Sequence, residues 1–271
     1  MHSKRILAFV SWVLASLVLF IACNQTSTPN PTSIANPKAQ AVSLTVSAAA
    51  SLKDAMDEIK PLYSKEQPTV KLTYNFGSSG ALQQQIEQGA GVDIFISAAN
   101  KQIDALNQKD LLVDGTRKDL LKNKLVLIVP QSSNDVTDFK DLTSSRIKKI
   151  ALGEPKSVPA GQYAQQVLTS LKIADQIKSK SVYAKDVRQA LNYVESGNAD
   201  AGIVYLSDTK STQKAKVVAT APENSHSPIV YPIAVLKSSK HLDAAKNFVQ
   251  FLSGNAAKNV FEKQGFSLAG S

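Results

Sequence analysis

The chain has 271 residues, 43% hydrophobic and 20% charged, with 31 Lys and Arg against 22 Asp and Glu for a formal charge of +9. This is ordinary globular composition, enough for one large domain or two small ones, and it excludes wholesale disorder. A single cysteine and three histidines exclude an internal disulfide framework and multi-cysteine zinc or iron–sulfur sites, and they leave little for histidine-based catalysis.

Lys4 and Arg5 precede an apolar run from Ile6 to Ala22, 17 residues long. A spanning helix typically needs about 20, so the basic start and short apolar core predict an export signal over residues 1–22. Cys23 follows Leu19-Phe20-Ile21-Ala22, which is similar to the lipobox of bacterial lipoproteins, where the cysteine is acylated; Phe20 stands where leucine is usual. Residues 23–41 carry Pro29, Pro31 and Pro37 with almost no apolar mass, and predict a lipid-attachment cysteine followed by a flexible tether. An exported chain whose one thiol is blocked by lipid has no thiol to misoxidise.

From Val42 onward short β-like runs alternate with helical patterns, the signature of a largely parallel α/β sheet. The expected strands are 42–47, 70–76, 92–97, 125–129, 149–152, 202–205, 217–220 and 233–236, most of them apolar enough to be covered on both faces. Amphipathic helices are expected on Leu52, Ala55, Met56, Ile59 and Leu62, on Leu82 and Ile86, on Ala164, Val167, Leu168 and Leu171, and on Val187, Ala190, Leu191 and Val194. A last helical stretch runs from Leu242 to Phe261. Composition shifts at Lys122-Asn123-Lys124 and at Ser227-Pro228 ahead of Tyr231-Pro232. Departure at the first and return at the second would make the first lobe, 42–124 plus 232–271, discontinuous around a second lobe, 125–231, with the two crossings as a hinge.

Four helix starts share one chemistry. Ala48-Ala49-Ala50-Ser51, Gly77-Ser78-Ser79-Gly80, Val158-Pro159-Ala160-Gly161 and Lys185-Asp186-Val187 are built from small, hydroxyl or capping residues; Ser51 and Asp186 are candidate N-caps, and Pro159 suits a first turn. The first N–H groups of a helix lack intrahelical partners and the macrodipole adds positive potential, so such ends hold anions. One such start is an ordinary capped helix; four together point to an anion site, although spacing alone leaves their convergence open.

The runs at 48–55, 76–98, 151–164, 186–208 and 225–235 resemble the ModA family of periplasmic molybdate-binding proteins of ABC importers, and the resemblance covers Val42 to Phe266. Gly91-Val92 and Ala99 depart from the family pattern without touching its presumed ligand contacts. The resemblance implies an α/β periplasmic-binding-protein fold, two lobes with an oxyanion in the cleft and a hinge between them. It implies ligand contacts from Ser51 and Ser79 through hydroxyl and backbone N–H, from Ala160 and Val187 through backbone N–H, and from the Tyr205 phenol. With the lipobox-like approach to Cys23, the expectation is a lipid-anchored monomer at the periplasmic or outer face of the cytoplasmic membrane, serving a permease and its ATPase. Molybdate, with tungstate, would be the ligand, with no cofactor, no catalytic residue, and molybdenum present only within the oxyanion.

Rival readings stay in view. Another tetrahedral oxyanion, such as sulfate, thiosulfate or phosphate, would use the same architecture. A serine hydrolase built on Ser51 or Ser79 lacks the G-x-S-x-G spacing and a neighbouring histidine. Tyr205 alone does not make an iron site, and His226 reads as a surface histidine in a polar turn. The basic cluster Arg146, Lys148 and Lys149 is interrupted by Ile147 and has no aromatic interleaving, so it reads as a solvated edge and not as a nucleic-acid surface.

Overall fold

The computed structural model describes residues 41–270, so the export signal, Cys23 and all of the tether but Ala41 lie outside the described residues. In chain order the elements are β1 (Val42–Ala49), α1 (Lys53–Glu66), β2 (Val70–Gly77), α2 (Ser79–Glu87), β3 (Ile94–Ile96), α3 (Asn100–Gln108), β4 (Lys118–Lys122), β5 (Leu125–Pro130), β6 (Ile150–Gly153), α4 (Pro159–Ser170), α5 (Ala174–Ile177), β7 (Ser181–Ala184), α6 (Val187–Glu195), β8 (Ala201–Tyr205), β9 (Ala215–Thr220), β10 (Val230–Val235), α7 (Leu242–Phe251), α8 (Asn255–Lys263) and β11 (Ser267–Leu268). They form a six-stranded sheet in the order β11-β4-β10-β3-β1-β2 and a five-stranded sheet in the order β7-β6-β8-β5-β9.

Both sheets are mixed, which corrects the expectation of a largely parallel sheet. The parallel part of each is a βαβ core: β1 pairs with β2 and β3, and β6 pairs with β7 and β8. The antiparallel joins fall at the strands beside the crossings. β10 runs against β3 and β4, and β5 against β8 and β9. Only Asn123 and Lys124 separate β4 in one sheet from β5 in the other.

The helices follow their caps and stripes. The Asp186 carboxylate accepts a hydrogen bond from the Gln189 N–H, and Val187, Ala190, Leu191 and Val194 form the buried stripe of α6. The valine and leucine side chains of this stripe each contribute about 1.5 to 3 kcal/mol when fully buried. Pro159 opens α4, where its missing N–H costs nothing. Ser51 does not cap α1 as expected: it lies in a 3-10 turn, Ala50–Leu52, and its hydroxyl meets a tyrosine of the other crossing, described below. The C-terminal stretch is two helices and not one, because Gly254 takes an extended backbone between α7 and α8. No helix among the described residues is long and apolar enough to cross a membrane.

Candidate functional site

Parallel pairing places the carboxyl ends of β1, β2 and β3 side by side. Ala49 lies opposite Gly77, and Ala48 opposite both Phe76 and Ile96. The turns that follow therefore share one sheet edge and carry Ser51, Ser79 and Ala98. In the other sheet Gly153 lies opposite Ala184 and Ala151 opposite Gly202, so the starts of α4 and α6 and the end of β8 share a second edge, which carries Ala160, Val187 and Tyr205. Ligands of α/β sheets characteristically bind beyond such carboxyl edges.

The two edges face and touch each other. The Gly80 N–H donates to the Ser157 carbonyl at 2.9 Å, and a Cβ on Gly80 would stand 2.6 Å from that oxygen, so only glycine permits this approach. Beside the second helix start, Arg188 of α6 grips the Asp54 carboxylate of α1 and pairs with Asp208 at 3.2 Å through Nε. The five expected site residues, carried by these two edges, are all buried: Ser51 is 3% exposed, Ser79 0%, Ala160 1%, Val187 4% and Tyr205 1%.

The donors on these two edges are mostly neutral. Ser79, Ala160 and Val187 stand in the first turns of α2, α4 and α6, where backbone N–H groups have no intrahelical acceptor. The Ser79 hydroxyl oxygen accepts from the Ala98 N–H at 2.9 Å, which leaves its own proton free to donate. The Tyr205 hydroxyl is buried without a hydrogen-bond partner among the described residues. Burial foremost, then the neighbouring Tyr231, pushes the Tyr205 phenol well above its ordinary value, so it remains a donor at physiological pH; the two hydroxyls nonetheless do not meet in hydrogen-bond geometry.

Two carboxylates lie behind this donor set, and both are engaged. Burial pushes the Asp208 carboxyl up to about 7 against the pull of Arg188 and of the Tyr205 N–H it accepts at 3.1 Å. Burial also works to raise Asp54, but Arg188 and Ser211 hold it below the ordinary value. Desolvation opposes the Arg188 charge, and Asp208 and Asp54 more than restore it. A fully deprotonated anion would thus meet donors, with the nearby negative charges already answered by a guanidinium.

Sequence reasoning missed Arg188 and Asp208 as parts of this region, and it read Asn123 and Tyr231 only as markers of the crossings. Asn123 donates from Nδ2 to Ser207 Oγ at 2.9 Å and to Tyr231 Oη at 3.2 Å, and Tyr231 Oη lies 2.8 Å from Ser51 Oγ. The histidines stay apart from the serines. His226 is half-buried, with Nδ1 on the Ser227 carbonyl and its ring against Tyr163, and neither histidine of the described residues bonds Ser51 or Ser79. A depression of about 990 Å³, lined by Lys101, Gln162, Gln166 and His226 among others, contains none of the five expected residues. Arg146, Lys148 and Lys149 are exposed, and Arg146 pairs with Asp135. Among the described residues no cluster of three or more His, Cys, Asp or Glu could hold a metal ion.

Two α/β lobes joined by paired crossings, with buried donors on the facing edges, define a binding protein of the periplasmic-binding-protein fold. The chain belongs to the bacterial extracellular solute-binding proteins, whose family model matches residues 44–267. It is 43% identical over 267 residues, 97% of this chain and 98% of the other, to a Bacillus subtilis protein named as an ABC transporter substrate-binding lipoprotein, YvgL. It is 40% identical to the molybdate-binding protein ModA of Haemophilus influenzae over 84% of this chain and 91% of that one. Among solved structures, the periplasmic molybdate-binding protein of Azotobacter vinelandii superposes with a TM-score of 0.76 at 26% identity, covering 83% of this chain and 99% of the other.

Proposed function

We propose that the protein captures molybdate, and tungstate with it, outside the cytoplasmic membrane and delivers it to an ABC permease driven by its ATPase. The observation that carries the reading is the buried Tyr205 hydroxyl, protonated and without a partner, where two edges of helix N-termini face each other. A dianion of the MoO4 type carries no proton at neutral pH and can only accept hydrogen bonds. Ser51, Ser79, Ala160, Val187 and Tyr205 offer it hydroxyl and N–H donors, and many aligned neutral donors can replace the water a buried anion loses. Discrimination against the smaller sulfate would come from the size of the closed cavity. The relatives named for molybdate support this choice over sulfate, thiosulfate or phosphate.

In this reading residues 42–124 with 232–271 move as one lobe and 125–231 as the other. The oxyanion is cargo, so no cofactor and no catalytic step are involved. Cys23 is acylated and tethers a monomer to the membrane, consistent with the lipoprotein name of the Bacillus subtilis relative. The one tryptophan, Trp12, lies within the expected signal, so calorimetry rather than intrinsic tryptophan fluorescence is the measurement of choice. Titration of the mature protein should show tight binding of molybdate and tungstate and weak binding of sulfate and phosphate. Tyr205→Phe should lose about 1.5 to 3 kcal/mol, roughly tenfold to a hundredfold in Kd. Equal affinity for sulfate, or no binding of molybdate, would overturn the assignment.

A further inference from the structure

The two crossings meet at one hydroxyl. Asn123 lies on the outgoing crossing between β4 and β5, and Tyr231 on the returning one, in β10. The Asn123 side-chain amide donates to Tyr231 Oη at 3.2 Å and to Ser207 Oγ at 2.9 Å, while Tyr231 Oη and Ser51 Oγ lie 2.8 Å apart. Tyr231 is fully buried, and burial foremost raises its phenol well above the ordinary value, so its proton is always present.

Either hydroxyl of the Tyr231–Ser51 pair can donate, and the Asn123 N–H on Tyr231 Oη favours one direction. A phenol has one proton, and its oxygen is a poor double acceptor because the ring delocalises its lone pairs. With the Asn123 N–H already directed at that oxygen, the Tyr231 O–H is left to donate, and Ser51 Oγ is the better acceptor of the pair. Ser51 then has one of its two lone pairs engaged and its own proton free to donate toward the facing lobe. Ser79 stands in the same condition through the Ala98 N–H at 2.9 Å.

We propose that Tyr231 and Asn123 are specificity-setting positioning residues, which hold the Ser51 hydroxyl as a donor through a hydrogen-bond relay of fixed direction and so select oxyanions that carry no proton. A proton-bearing oxyanion such as phosphate needs an acceptor for its own O–H, and the relay occupies one of the two serine lone pairs and turns the serine proton, not its oxygen, toward the ligand. The proposal rests on the reading of Ser51 as a contact of a bound oxyanion.

The test is calorimetry of the mature chain with molybdate, and competition by phosphate at pH 7.5, for wild type, Tyr231→Phe, Asn123→Ala, Ser51→Ala and the Ser51→Ala/Tyr231→Phe double variant. Tyr231→Phe conserves the buried ring, and Asn123→Ala leaves it untouched. Tyr231→Phe should weaken molybdate about tenfold, the scale of one hydrogen bond to a charged ligand, and should narrow the preference for molybdate over phosphate by a similar factor. Asn123→Ala should shift both in the same direction by less, and in the Ser51→Ala background Tyr231→Phe should change neither. An unchanged preference in a Tyr231→Phe protein that melts like wild type would overturn the relay, as would an equal loss in the Ser51→Ala background, which marks simple packing. If wild type binds no oxyanion, the reading of the site itself falls and the relay with it; if wild type binds and only the variants behave otherwise, the relay alone falls.

Discussion

Asp208 has no exposure, and its charge is shared between the Arg188 guanidinium and the Tyr205 N–H. Its carboxyl titrates near 7 in the folded protein against an ordinary 3.8, with burial as the first cause. The native state therefore holds a proton that the unfolded chain releases between about pH 4 and 7. The stability contributed by this group is fully present below about pH 4 and is lost as pH rises to about 7. Asp208→Asn keeps the shape and an acceptor for the Tyr205 N–H but cannot titrate. Between pH 4.5 and 7.5 the ligand-free wild type should lose stability relative to this variant, by something on the order of a few kcal/mol. Urea unfolding of both proteins at the two pH values measures the difference, and parallel profiles would show that Asp208 does not hold a proton in the native state.

At the scale of elements, the start of α2 carries the sharpest steric demand. Gly80 donates its N–H to the Ser157 carbonyl, and a methyl in its place would collide with that oxygen at 2.6 Å. Glycine within a helix costs about 0.5 to 1 kcal/mol relative to alanine, so Gly80→Ala should leave the ligand-free protein as stable as wild type or slightly more so. Binding should nevertheless weaken by at least tenfold, because the approach of the two edges is blocked. Thermal unfolding with and without molybdate separates the two effects: the free Tm holds while the ligand-induced shift shrinks, and an undiminished shift would show that the contact is not part of the bound state. Neighbouring elements show how far the sequence could be read. β1, β2, β5, β8 and β10 announce themselves through long apolar or alternating runs. β4 hides in Lys-Asp-Leu-Leu-Lys, β7 is a four-residue edge strand, β11 has two residues, and α3 has a buried apolar stripe of only Ile103 and Leu106. The helix starts were legible because capping chemistry is local. Their convergence was not, because it depends on strand register, and neither was the Asp54–Arg188–Asp208 cluster, which joins distant parts of the chain.

For the whole molecule 31 basic against 22 acidic residues leave a positive balance, but the facing helix starts offer mainly neutral donors, and the nearest cation, Arg188, is already committed. Surface charge of this kind can draw a dianion toward the cleft, with salt screening limiting the effect. What joins the two lobes in this structure is more local. Arg188 spans the lobes, with Asp208 on its own side and Asp54 on the other, and its side chain is 18% exposed against 30% for Asp54, so solvent screens the link only in part. Above about pH 7, where Asp208 is ionised, Asp54→Asn removes the charge across the cleft while the Arg188–Asp208 pair stays intact, so no buried charge is left unpaired. Closure should then cost more without the encounter being altered. Molybdate affinity should fall roughly threefold to tenfold, on the scale of a charge-assisted hydrogen bond discounted for partial exposure. The loss should lie in dissociation, since association depends on the long-range field and on the open cleft. Rapid-mixing calorimetric or chelator-trap measurements of the two rates decide the matter. A faster dissociation at unchanged association makes Arg188–Asp54 the latch between the lobes, and an unchanged dissociation rate would assign the pair to the surface of either lobe and leave closure to the ligand alone.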